Sequence, residues 1–84
     1  NIYIKLMEEC GELTQAVAKE IKYKDEVTNL NLAEEAGDVM AFIYLMKEAG
    51  IIPEAPMEEK RKATIIKYRG LLYGRGYGRP GLWS

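Results

Sequence analysis

Histidine is absent from the chain, and cysteine occurs once, at Cys10. The first absence removes His/Cys zinc sites and every catalytic pair that needs an imidazole base; the second removes any intrachain disulfide. Such sparing use of cysteine fits a reducing compartment, and with no secretory signal pattern a cytoplasmic location is expected. No apolar run approaches the roughly 18 residues of a membrane span, so a membrane partner is not expected. Proline is scarce too: Pro53, Pro56 and Pro80 all lie in the second half of the chain. Long uninterrupted helices are therefore permitted through the first half.

What the chain does contain is balanced enough for a globular fold: 84 residues, 48% hydrophobic and 30% charged. A chain of this length buries only about 60–65% of its unfolded surface, which leaves a lone monomer marginal. A homodimer or homotetramer is the expected state. The net charge of −1 hides an asymmetry. Residues 1–59 carry thirteen acids against five lysines, a net charge of −8, whereas residues 60–84 carry seven basic residues and no acid. That split means either intramolecular charge pairing or separate tasks for cations and anions.

The apolar period predicts an all-α domain over residues 1–84, with a helical core at 2–69 and a Gly-rich, basic, aromatic tail at 70–84. Ile2, Leu6, Cys10, Leu13, Val17 and Ile21 mark one side of a first helix from about Ile2 to Lys22, with Cys10 as a core thiol. KYKDEVTN, starting at Lys22, reads as a polar connection of about ten residues. A second helix is expected from near Leu32, with Asn31 as N-cap, Glu34 at the third helical position and Gly50 as its stop. The two should pair as an antiparallel hairpin. A third helix is expected from Met57 to about Arg69, and GLLYGRGYGRPGLWS holds too many glycines to continue it.

Two acids break the pattern. On a helical wheel Leu32, Val39, Phe42 and Met46 all fall within about 60° of Glu35, which places a carboxylate in the middle of an apolar stripe. Glu9 lies at the edge of the stripe on the first helix. Each is followed three residues later by a second acid on the same flank: Glu12 after Glu9, and Asp38 after Glu35. Residues at i and i+3 are surface neighbours on a helix, so packing the two helices can bring these carboxylates together. Glu35 has no lysine or arginine one turn away to neutralise it. An all-carboxylate set without histidine suits a hard ion, Mg²⁺ or Mn²⁺ ahead of Ca²⁺. Glu8 and Glu34 lie further from the stripe.

E-E-C-G-E at Glu8 to Glu12 and E-A-G-D at Glu35 to Asp38 together resemble the E-E-x-x-E … E-x-x-D signature of the all-α nucleoside triphosphate pyrophosphohydrolases. That superfamily comprises MazG, the dimeric dUTPases, dCTP pyrophosphatases and phosphoribosyl-ATP pyrophosphatase. LMEECGELTQAV and LAEEAGDVMAFIYLM look most like small MazG-like proteins, and the similarity covers roughly residues 2–50. D-V-M-A-F-I-Y, from Asp38 to Tyr44, lacks the Tyr-His pair common in the phosphoribosyl-ATP branch. The resemblance implies Mg²⁺-dependent hydrolysis of a (d)NTP to its monophosphate and pyrophosphate. It carries Glu9, Glu12, Glu35 and Asp38 over as metal ligands, with Glu9 or Glu12 also orienting or deprotonating the attacking water.

In the basic half, Arg61 coincides with the centre of a stripe formed by Met57, Ile65, Tyr68 and Leu72. Arg61 and, at the helix end, Arg69 are candidate substrate contacts through phosphate; a salt bridge is the plainer role for Arg61. The tail interleaves Arg69, Arg75 and Arg79 with Tyr68, Tyr73, Tyr77 and Trp83, a mixture that can stack bases and hold phosphates. An arm that wraps a partner subunit is the plainest role for it, and in an enzyme it could close over the nucleotide; it also supports an alternative, a non-enzymatic helical module that grips nucleic acid, although nucleic acid is not an expected partner. A third reading is a metal-stabilised oligomer without turnover.

Overall fold

Asn1 opens the chain as a helix cap: its side-chain oxygen accepts from the backbone N–H of Tyr3 at 2.8 Å and of Ile4 at 3.4 Å. In the computed structural model, which describes residues 1–74, three helices follow: α1 (Ile2–Tyr23), α2 (Glu26–Glu48) and α3 (Glu54–Gly74). No strand occurs among the described residues, so the fold class is all-α. The chain divides into two compact units, the α1–α2 hairpin of Asn1–Ile52 and a second unit beginning at Pro53. No described helix is long and apolar enough to cross a membrane.

The hairpin turn is much tighter than the polar run KYKDEVTN suggests. Lys24, at φ 51°, ends α1 in the left-handed region, and Asp25 at once caps α2. Asp25 Oδ1 accepts from the Thr28 N–H at 2.8 Å, and the Asp25 N–H donates to Thr28 Oγ1 at 3.2 Å. This reciprocal capping box satisfies helix-end donors that would otherwise compete for water. The Thr28 hydroxyl in turn donates to Glu20 Oε2 on α1 at 2.9 Å, which ties the turn to the preceding helix. The second helix therefore starts at Glu26 rather than near Leu32, and Asn31 and Glu34 lie inside it.

At the other end of α2 Gly50 is the stop that its position suggests. It sits at φ 77°, with the Ile51 N–H on the Met46 carbonyl at 2.9 Å and its own N–H on the Lys47 carbonyl at 3.0 Å. That is a Schellman closure, for which glycine is suited because a Cβ is disfavoured at positive φ.

Glu20 meets Thr28 near the turn, while Glu9 and Glu12 meet Glu35 further away; the helices are antiparallel. The packed face of α1 runs through Ile2, Leu6, Glu9, Leu13 and Ala16, and that of α2 through Thr28, Glu35, Val39, Phe42 and Met46. Cys10, expected in the core, is exposed, and Val17 and Ile21 are 41% and 69% exposed. The contact face is rotated toward Glu9, so its far apolar flank points outward.

In the second unit, α3 is longer than expected at both ends. It begins at Glu54, because Pro56 falls in the first turn, where a missing N–H costs no helical bond. It passes through Gly70 to Gly74, since one interior glycine costs only about 1 kcal/mol and Leu71, Leu72 and Tyr73 sustain the helix. Residues 70–74 are thus helical. The rest of the expected tail, with Arg75, Tyr77, Arg79 and Trp83, lies outside the described residues.

Candidate metal centre

Helical spacing alone brings the acids of each helix onto one flank, and the hairpin brings the flanks together. Glu9, Glu12 and Glu35 each offer a carboxylate oxygen, and these oxygens lie within 4.8 Å of one another. Glu9 is only 7% exposed, Glu35 is half-buried and Glu12 is open to solvent. The cluster therefore has a closed floor and an open side.

Two atoms define its chemistry. Glu9 Oε2 and Glu35 Oε2 are both buried, and neither has a hydrogen-bond partner. Buried carboxylate oxygens are normally paired, because an unpaired one forfeits its hydration with nothing in return. A cation with oxygen preference satisfies both atoms at once, so the donor set fits a hard divalent ion. Without a cation the alternative is a proton. Glu9 is pushed above the ordinary glutamate value of 4.5, first by the hydrogen bond its protonated form makes to Glu12, then by burial, then by the negative charges of Glu12 and Asp38. Lys5 opposes the shift.

Asp38, implied by the resemblance as a fourth ligand, is exposed and is not part of the close triad. It stays near enough for its charge to act on Glu9. Glu8 is also exposed and pairs with Lys5 at 3.6 Å.

Lys5 is the residue that sequence reasoning misses. Its Nζ lies 3.6 Å from Glu9 Oε1 and, at the same distance, from Glu8 Oε2. Those two acids raise its pKa, Glu8 more than Glu9. The signal was present in the spacing, since Lys5 stands one helical turn before both acids.

In the second unit Arg61 pairs with Glu58 of the same helix, through Nε to Oε2. Arg69 is exposed and lines a groove on α3 with Thr64, Ile65, Tyr68, Leu72 and Tyr73. The chain matches no protein-family model, no curated protein and no solved structure. The meaning of the acid cluster therefore rests on the chemistry of its own residues.

Proposed function

We propose that the chain is a Mg²⁺-dependent nucleoside triphosphate pyrophosphohydrolase, which releases pyrophosphate and the nucleoside monophosphate from a (d)NTP or related nucleotide. The observation that carries this reading is the pair of buried oxygens without donors, Glu9 Oε2 and Glu35 Oε2, on two of the three residues whose carboxylates gather within 4.8 Å. The resemblance of E-E-C-G-E and E-A-G-D to a pyrophosphohydrolase signature supplies the reaction.

Glu9, Glu12 and Glu35 would hold the ion, with Asp38 at the rim; Mn²⁺ suits the same oxygens. Bound there, Mg²⁺ supplies positive charge that neutralises the polyphosphate and favours departure of the leaving phosphate. Glu12, exposed beside the buried pair, is the helix-one acid best placed to meet water, orient it and take its proton.

The test is a screen of canonical and damaged (d)NTPs with Mg²⁺, read as pyrophosphate release. Glu35→Gln keeps the shape of the side chain and removes its charge, and it is expected to bring turnover to background. Release of single orthophosphates, or undiminished activity in Glu35→Gln, would overturn the assignment.

A further inference from the structure

We propose that Lys5 fixes Glu9 as a one-oxygen ligand and so favours Mg²⁺ over Ca²⁺ at the acid cluster, an inference that rests on the cation-site reading above. The two oxygens of Glu9 stand in different surroundings. Oε1 faces the Lys5 ammonium at 3.6 Å, while Oε2 is buried without a donor, and Glu9 brings one carboxylate oxygen within 4.8 Å of those of Glu12 and Glu35. The Lys5 side chain is 52% exposed and that of Glu9 only 9%, so the ammonium approaches from the solvent edge and takes the outer oxygen. Glu8 Oε2, at the same distance of 3.6 Å, gives the ammonium a second partner on α1.

Coordination chemistry turns this division into selectivity. Ca²⁺ gathers six to eight oxygens at roughly 2.3–2.6 Å and often takes both oxygens of one carboxylate. Mg²⁺ requires a near-ideal octahedron at roughly 2.0–2.1 Å, filled by single carboxylate oxygens and water. An ammonium on Oε1 denies Ca²⁺ the second oxygen of Glu9. It removes nothing that the Mg²⁺ octahedron needs. The positive charge of Lys5 also repels both ions, but that effect is common to two dications and leaves their ratio unchanged. Lys5 is thus a positioning residue, and the ratio of the two affinities is the quantity that reports it.

The experiment is calorimetric titration of the full chain with Mg²⁺ and, separately, with Ca²⁺, without nucleotide and at fixed ionic strength near pH 7. Wild type is compared with Lys5→Gln, Lys5→Arg and Glu9→Gln. Lys5→Gln is expected to tighten both ions but Ca²⁺ more, moving the ratio of their dissociation constants toward Ca²⁺ by about two- to fivefold. Lys5→Arg, which keeps a cation on Oε1, is expected to retain the wild-type ratio. Equal tightening of both ions in Lys5→Gln would overturn the positioning role while leaving the cation site standing. Wild type that binds neither ion, or Glu9→Gln that binds as well as wild type, would overturn the site and with it the role of Lys5.

Discussion

Glu9 is where burial and charge are in sharpest conflict. A hydrogen bond to Glu12 favours its protonated form, its side chain is enclosed, Glu12 and Asp38 repel its ionised form, and Lys5 opposes them from the solvent edge. The folded chain therefore holds the Glu9 proton more tightly than the unfolded chain does. Stability from this group is complete below the ordinary value of 4.5 and is lost as pH rises through the raised value. In chelator, the melting temperature is expected to fall across that window, more steeply for wild type than for Glu9→Gln. Mg²⁺ acts in the opposite sense, because it needs the ionised carboxylate. The rise in melting temperature that it confers should grow with pH through the same window and be largely absent in Glu9→Gln. A gain from Mg²⁺ that is independent of pH and survives Glu9→Gln would mean that the ion binds elsewhere.

The elements differ in how plainly the sequence announces them, and the hairpin turn shows why. Asp25 and Thr28 make a capping box in which threonine stands where glutamate or glutamine is usual, so the helix start is hidden within a polar run. Asp25→Ala is expected to destabilise the hairpin by about 1 kcal/mol, and Thr28→Val by a similar amount through loss of the bond to Glu20. Denaturant unfolding measures both. Gly50 was legible because few other residues tolerate its φ of 77°, and Gly50→Ala should cost about 1 kcal/mol. By contrast Gly11 and Gly37, one in each acidic motif, have open space where a Cβ would stand, with no neighbouring atom within 4 Å. The pairing of Glu9 with Glu35 could be read from period alone, because Glu35 interrupts one apolar stripe and Glu9 borders the other. Which flank of α1 would face α2 could not: Cys10, Val17 and Ile21 are as apolar as Ile2, Leu6 and Leu13, and only the partner helix decides between them.

At the scale of the whole molecule, the described hairpin encloses little apolar surface. Among the described residues only Ala16, Val39 and Met46 form a buried apolar core, and no large side chain is fully enclosed. Full burial of a large apolar side chain contributes about 1.5–3 kcal/mol, whereas ordering each residue costs roughly 1.5 kcal/mol. Val17 and Ile21, one turn apart on the outward flank of α1, together with exposed Val27, Leu30 and Leu45, offer the missing apolar surface. A second copy of the chain is the proposed cover, giving a homodimer or homotetramer whose interface should exceed about 1,000 Å². Light scattering coupled to size exclusion is expected to return a multiple of the 9.5 kDa chain mass. The double substitution Val17→Glu with Ile21→Glu places two charges on that flank, and it should give a monomer that melts without a cooperative transition. A wild-type monomer that melts cooperatively, or a double variant that keeps both mass and transition, would show that the flank is not an interface between copies. Concentration dependence provides the second check. Since association stabilises only the assembled state, the wild-type melting temperature should rise with protein concentration, whereas the double variant should show no cooperative transition at any concentration.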